Sequence, residues 1–392
     1  MYVSFISLAE KLNKIKETMF YLIKNSTWVD KKLMKRTMLL KVDSQKPDKK
    51  KIRLVAGFIR KGGLVAFPTE TVYGLGADAL NGAAVLRLFD AKKRPLDNPP
   101  IVHISDVETA YRLAKEVPKV AEKLVAEFWP GPLTLIFERS KIVPDVTVAG
   151  LDTIAVRMPR HNVALALIRE SGCPISAPSA NLAGKPSPTT AQHVLEDLKG
   201  QIDAILDAGP TNIGVESTVL DLTVSPPQIL RPGGVSHEAL KKVIGRVELN
   251  PIVVADRTLP LERARSPGVK HKHYAPDAEM FLVEGEIEAV VNKVDELVRF
   301  YRKKGRRVGV LATDETVDHY RADVVKSLGS RSDLASIARH LFGLLREFNA
   351  DKVDVIVAEG VPAEELGLAV MNRLRKAAGY KIVKAVHMEN QF

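Results

Sequence analysis

Apolar positions recur along the chain at two spacings. Ile52, Val55, Ala56 and Ile59 fall at helical intervals within residues 49–61, and Gly62-Gly63 closes the run. The contiguous run Leu64-Val65-Ala66-Phe67 then reads as a short buried strand. Pro68 cannot donate to a sheet ladder, so that strand stops there. Residues 83–93 predict a helix with Val85, Leu86 and Phe89 facing inward, and residues 101–104 a short strand. Residues 107–128 predict a helix broken at Pro118, residues 133–137 and 154–158 two strands, and residues 161–171 a helix. Residues 174–181 read as a strand running into a loop, and residues 192–198 as a helix. Strands at 204–206, 218–222 and 228–230 complete a strand-rich α/β unit ending near Val247.

The pattern changes twice. Residues 248–276 hold four prolines, little periodicity and the basic run Lys270-His271-Lys272-His273-Tyr274, which is linker composition. Beyond it, strands at 280–283, 307–311, 324–325 and 353–358 alternate with helices at 286–303, 332–348 and 366–378. That alternation predicts a small parallel sheet of Rossmann type. It contains no GxGxxG, so no dinucleotide is assigned to it. The expected division is therefore an N-terminal extension (1–45), a main α/β domain (46–247), a linker (248–277) and a C-terminal Rossmann-like α/β domain (278–392).

In the extension, Leu8, Leu12, Ile15, Met19 and Ile23 predict a Lys-rich amphipathic helix. It lacks the compact apolar core and cleavage site of a secretory signal. Met38 offers a second start, so much of 1–37 reads as an upstream extension. A membrane-surface or partner-binding helix is the competing reading.

Composition narrows the chemistry. The 392 residues are 45% apolar and 27% charged, as in a soluble globular protein. No run of 18 apolar residues predicts a membrane span. One cysteine, Cys173, excludes a disulfide framework and a CxxC zinc site, and fits a cytoplasmic location. The formal charge is +11, of which residues 1–45 contribute +5 through nine Lys/Arg against four Asp/Glu. The excess favours an anionic ligand such as a nucleotide and weakly permits RNA.

Candidate groups gather at predicted strand ends. Residues 68–76, P-T-E-T-V-Y-G-L-G, bring two threonines, a carboxylate and a phenol just past a buried strand, with Gly74 and Gly76 leaving room for a tight turn or a close ligand. Lys92-Lys93-Arg94 at a helix end can grip a triphosphate or answer the helix dipole. His103 within a strand reads as structural. Thr153, Ala155 and Arg157 share a strand face, where Arg157 needs an anion, either a ligand carboxylate or an internal salt-bridge partner. Ser179 and Asn181 can serve phosphate or ribose, or build a turn. Residues 214–219 and 230–234 repeat polar groups at strand ends. Gly184-Lys185-Pro186-Ser187 fails the Walker pattern because proline follows the lysine. His271 and His273 lack partners for a metal site.

Eight strings in order, P-T-E-T-V-Y-G-L-G (68–76), K-K-R-P-L-D-N-P (92–99), G-P-L-T (131–134), D-T-I-A-V-R (152–157), S-A-P-S-A-N (176–181), G-V-E-S-T-V (214–219), L-R-P-G (230–233) and H-Y-A-P (273–276), resemble the threonylcarbamoyl-AMP synthase family in its two-domain form. The resemblance spans roughly residues 46–390. It implies an N-terminal YrdC-like open twisted sheet and a smaller C-terminal α/β domain. It also implies the reaction: L-threonine, bicarbonate and ATP, with Mg²⁺, give threonylcarbamoyl-AMP and pyrophosphate, feeding a complex that modifies adenosine beside the tRNA anticodon. By the same resemblance Thr71, His103, Arg157, Ser179 and Ser217 match threonine-binding positions. Lys92, Arg94, Asn98, Thr153, Asn181, Ser187, Arg231 and Tyr274 match nucleotide-binding positions, with Lys92 and Arg94 neutralising phosphates and the linker folding over the nucleotide through Tyr274. Two rivals stand beside it: a binder of double-stranded RNA, and a carbamoyl-transfer enzyme of the hydrogenase-maturation kind, whose zinc-binding cysteines this chain lacks.

Overall fold

In the computed structural model, which describes residues 8–25, 36–255 and 273–386, the two spacings of the sequence become two sheets. The chain begins with helix α1 (Leu8–Asn25), strand β1 (Met38–Lys41), helix α2 (Lys49–Arg60) and strands β2 (Val65–Phe67) and β3 (Gly74–Asp78). Next come α3 (Gly82–Ala91), β4 (Val102–His103), α4 (Val107–Leu113), α5 (Lys119–Phe128), β5 (Leu133–Glu138) and β6 (Thr153–Arg157). They are followed by α6 (Asn162–Ser171), β7 (Ile175–Ser176), α7 (Ala191–Leu198), β8 (Ala204–Asp207), β9 (Thr218–Asp221) and β10 (Gln228–Arg231). Then α8 (His237–Ile244), β11 (Glu248–Leu249) and α9 (Pro251–Val254) end the first part. The second part is β12 (Glu279–Glu284), α10 (Ile287–Lys303), β13 (Val308–Ala312), β14 (Val324–Ser327), α11 (Leu334–Ala350), β15 (Val355–Glu359), α12 (Leu366–Ala377) and β16 (Ile382–Lys384).

The larger sheet has eleven strands in the order β1-β8-β2-β3-β7-β4-β6-β5-β9-β10-β11, mixing parallel and antiparallel pairs. The smaller has five in the order β14-β13-β15-β12-β16, and all of its pairs are parallel. Parallel neighbours need crossovers, which α10, α11 and α12 supply. Strand alternation sorts the small core into two layers. Leu282, Leu311 and Ile356 face α11 and α12 with Phe342, Leu345 and Leu374, while Val283, Val310 and Val357 face α10 with Val290, Val294 and Val298.

The structure departs from the sequence reading in four places. Residues 74–78 form a strand, antiparallel to β2, in place of a tight turn, and Gly74 at its start lines a cavity. A Cβ on Gly76 would lie 2.8 Å from Ile175 Cγ2 and 2.9 Å from Phe67 Cε1, so this glycine makes room for side chains of the neighbouring strands. The strand expected over 174–181 is only Ile175–Ser176; past Pro178, which has no N–H to donate, the chain keeps an isolated bridge between Ser179 and Gly74. The large sheet continues into the supposed linker, with β11 pairing parallel to β10. Finally, α1 lies against the body. Ile15 is buried among Val85, Leu86, Phe89 and Val146, and Lys11 Nζ donates to Asp152 (3.0 Å). The side chains of Leu8, Met19 and Ile23, and residue His271, lie outside the described residues.

The sheets meet where α11 and α12 pack on the loops of the larger one. Gly214, with φ +83°, lies so close to α11 that a Cβ would sit 2.4 Å from the Ala338 carbonyl oxygen. Arg339 Nε donates to the Asn212 carbonyl (3.0 Å) and Asn372 Nδ2 to the Val253 carbonyl (3.1 Å). Among the described residues, no helix is long and apolar enough to cross a membrane.

Candidate active site

Strand ends of the larger sheet open onto a cavity of about 390 Å³. Its lining includes Thr71, His103, Arg157, Ser179 and Ser217, and also Lys92, Arg94, Asn98, Asn181, Ser187, Arg231 and Tyr274. Thr153 is outside that lining; it starts β6 on the face that Arg157 ends, ~13 Å back at strand rise, and pairs with Glu138.

One wall comes from the β2–β3 loop, β4 and β6. Thr69 Oγ1 donates to the Val72 carbonyl (2.7 Å), which fixes the loop and commits its only proton. Thr71 therefore donates to Thr69 (2.8 Å) while accepting from Arg157 Nη1 (3.0 Å). What Thr71 has left is acceptor capacity. Parallel pairing of β4 with β6 sets His103 beside Arg157. Arg157 also donates from Nε to the Gly131 carbonyl (3.2 Å), and its Nη2 stands 2.8 Å from Glu70 Oε2 with both side chains buried. Both readings of Arg157 thus hold in part: it has an internal partner and still faces the cavity. Burial, helped by Arg157, pushes His103 down to about 3, so its imidazole is neutral. Its Nδ1 carries the proton toward the Ile101 carbonyl (3.3 Å), which leaves Nε2 as an acceptor.

The other wall is cationic. Lys92 is not an open cation at a helix end. It is 1% exposed and Nζ donates to the carbonyls of Ser179 and Asn181, leaving one of its three N–H groups. Burial, then Arg94, pushes its ammonium well down. Arg94 Nε and Nη2 hold Asn98 at its carbonyl and its side chain (2.8 Å each), and burial with Arg231 opposite lowers Arg94 to about 9. Burial and neighbouring like charge disfavour these cations, and an anion placed between them would favour their charged forms. Ser179 Oγ donates to Asn181 Oδ1 (2.6 Å), and Asn181 Nδ2 to the carbonyls of Leu182 (2.7 Å) and Lys185 (3.0 Å). Arg231 donates to the Ser217 carbonyl (2.9 Å) and hydroxyl (3.2 Å), and that hydroxyl lies 2.7 Å from Thr134.

Sequence reasoning noted Glu70 only as the carboxylate of residues 68–76, without its partner Arg157, and assigned no role to Glu216 or Arg373. Glu216 lines the cavity, accepts from Ser187 Oγ (2.6 Å) and pairs with Arg373 Nε of α12 (2.9 Å). Burial would raise its carboxyl, but Arg373 and then Arg231 outweigh that and hold it at about 2. Tyr274, at φ +62° and buried, stacks on Phe342 of α11 (5.2 Å). A sequence signal for Arg373 existed: it falls on the apolar stripe Leu366, Ala369, Val370, Leu374 and Ala377 of α12.

Comparison with known proteins follows the same division. Residues 57–233 match a family model described as telomere recombination, and residues 235–379 one described as threonylcarbamoyl-AMP synthase, C-terminal domain. The chain is 54% identical over 334 residues to a threonylcarbamoyl-AMP synthase of Pyrococcus abyssi, covering 85% of this chain and 96% of that protein. It is 49% identical over 335 residues to the synthase of Bacillus subtilis, covering 85% and 94%. Its fold is similar to the crystal structure of P. abyssi Sua5 complexed with L-threonine, at a TM-score of 0.85 and 52% identity over 90% of this chain and all (100%) of that one.

Proposed function

The chain belongs to the threonylcarbamoyl-AMP synthase family, and we propose that the cavity carries out that family's reaction with its two walls dividing the substrates. The enzyme is a nucleotidyltransferase that condenses L-threonine, bicarbonate and ATP to threonylcarbamoyl-AMP and pyrophosphate. The observation that carries the division is the segregation of charge: depressed cations on one wall, and a neutral imidazole with a paired guanidinium on the other.

L-threonine lies against Thr71, His103, Arg157, Ser179 and Ser217 in this reading. Two of the five Arg157 N–H groups are hydrogen-bonded, to Gly131 and Thr71, and Nη2 stands beside Glu70 as an ion pair without a hydrogen bond, so Arg157 keeps donors for the substrate carboxylate. Thr71 and His103 Nε2 accept from the ammonium and the hydroxyl. ATP lies against Lys92, Arg94, Asn98, Asn181, Ser187, Arg231 and Tyr274, with Thr153 further along the sheet. Ser187 already donates to Glu216, so toward the nucleotide it accepts a hydrogen bond. Once the ammonium has given up a proton, the threonine amine adds to the bicarbonate carbon with loss of water to give the carbamate. A carbamate oxygen then attacks the α-phosphorus as its bond to pyrophosphate breaks, and pyrophosphate leaves toward Lys92 and Arg94. Such chemistry asks for positioning and charge neutralisation, with no protein nucleophile. Glu216, which lines the cavity, and Glu70, which lies outside its lining, are both already paired with arginines, so Mg²⁺ enters held by ATP oxygens as part of that substrate. We further propose residues 46–247 as the catalytic unit, 248–277 as a linker covering the nucleotide through Tyr274, and 278–392 as the C-terminal unit. The adenylate passes to a tRNA-modifying complex in the cytoplasm.

The test is pyrophosphate release. It should require ATP, threonine and bicarbonate together. Release without threonine, or none with all three, refutes the reading.

A further inference from the structure

Two arginines reach the cavity loops from the smaller sheet. Arg346 of α11 donates from Nη2 to the Pro186 carbonyl (2.7 Å) and to Asp197 Oδ2 (2.7 Å), which also pairs with Lys185 (3.2 Å). Arg373 of α12 donates from Nη1 to the Pro232 carbonyl (2.6 Å) and from Nε to Glu216 (2.9 Å), and its guanidinium stands 5.6 Å from the Tyr274 ring. They are 9% and 0% exposed, so both charges have been taken out of water.

Stability alone gives little reason for this arrangement. Desolvating a guanidinium costs several kcal/mol, and apolar residues of similar volume often serve a buried interface equally well. What distinguishes these arginines is where they end. Pro186 precedes Ser187, and Pro232 follows Arg231; both neighbours line the cavity on its cationic wall. Of the residues assigned to threonine, Thr71, His103, Arg157, Ser179 and Ser217, none receives a hydrogen bond from Arg346 or Arg373, although Ser217 accepts from Arg231 and follows Glu216.

We propose that Arg346 and Arg373 are positioning residues of the nucleotide half: the smaller sheet holds two cavity loops by their backbone oxygens, so that its docking and ATP binding are one event. This rests on the assignment of the cationic wall to ATP. It gives the smaller sheet a specific task, to set the loops that carry Lys185, Ser187 and Arg231.

The test uses the full chain with Arg346→Met and Arg373→Met, and reads the Michaelis constants for ATP and threonine separately. Each variant should raise the ATP constant at least tenfold with the threonine constant within twofold of wild type. Arg375→Met is the structural comparison, since Arg375 lies on the same helix but pairs with Glu284 (2.7 Å) and touches no cavity residue; it should lower the melting temperature and leave both constants unchanged. An unchanged ATP constant in the Arg346 and Arg373 variants, or both constants rising together, overturns the proposal. If the methionine variants do not fold, Arg346→Lys and Arg373→Lys decide on the same constants: a selective rise of threefold or more supports it, and no rise overturns it. Wild type that releases no pyrophosphate sinks the reading of the activity and this inference with it. Normal wild-type turnover with unmoved constants sinks the inference alone.

Discussion

The two sheets treat their buried polar groups in opposite ways. In the smaller, parallel sheet, Glu359 ends β15 with no exposure at all, at the strand terminus where such folds commonly bind ligands. Its carboxylate accepts from the Thr313 amide (3.0 Å), the hydroxyls of Thr313 (3.1 Å) and Thr316 (2.8 Å), and Tyr320. Three of these donors converge on Oε2 and Tyr320 covers Oε1, so the buried carboxylate is satisfied from within the sheet's own residues. In the larger sheet the corresponding groups keep capacity in hand: N–H groups of Arg157 beyond those given to Gly131 and Thr71, one on Lys92, and the acceptors of Thr71 and His103. A Rossmann-like topology therefore does not by itself make a site. What makes one is polar capacity left over after the protein has satisfied itself.

Three experiments bear on that contrast, in order of expected size. The first asks whether the leftover capacity reads the substrate. A site that bonds the threonine hydroxyl should reject valine by on the order of 10,000-fold in kcat/KM, and serine, which lacks only a methyl, by about ten- to two-hundredfold. Valine turnover near that of threonine would mean the hydroxyl is not read. The second breaks the cavity's own pair. Arg157→Met strands Glu70 as a buried charge, at a cost of about 3–5 kcal/mol. It should lower kcat/KM at least a hundredfold and also lower the melting temperature; full activity would remove Arg157 from the site. The third attacks the closed cluster. Glu359→Leu takes the acceptor from the buried Tyr320 hydroxyl, leaves the Thr313 amide only Thr316 Oγ1 (3.3 Å), and lowers stability by about 1–3 kcal/mol in chemical denaturation. Both Michaelis constants should stay put, and a selective change in either would show that this cluster takes part in binding after all.

How far the sequence disclosed all this depends on distance along the chain. Thr71, Ser179 and Asn181 were legible because each sits in a short polar string just past an apolar run. The parallel sheet was legible because its strands and helices alternate without interruption. Strand β3 was not, since its two glycines carry no strand preference and are explained only by Phe67 and Ile175 packing over them. Glu216, the two clamping arginines and the partner of Glu70 escaped for a different reason. Arg373 and Glu216 are 157 residues apart, and Arg346 and Asp197 are 149 apart. No local window contains such pairs. The trace they leave is a charge on an apolar stripe, as with Arg373 among Val370, Leu374 and Ala377, which says that a partner exists without naming it.

Gly214 gives the meeting of the two sheets a mechanical character. With no side chain between its backbone and Ala338, the loop serves as a fulcrum on which α11 rests. Arg346 lies eight residues further along that helix, a lever arm of about 12 Å at helical rise. A wedge one methyl thick, as in Gly214→Ala, would tilt the arm and swing its far end off the Pro186 carbonyl. The alignment of a nucleotide loop is thus gauged by the thickness of a residue that never touches the nucleotide.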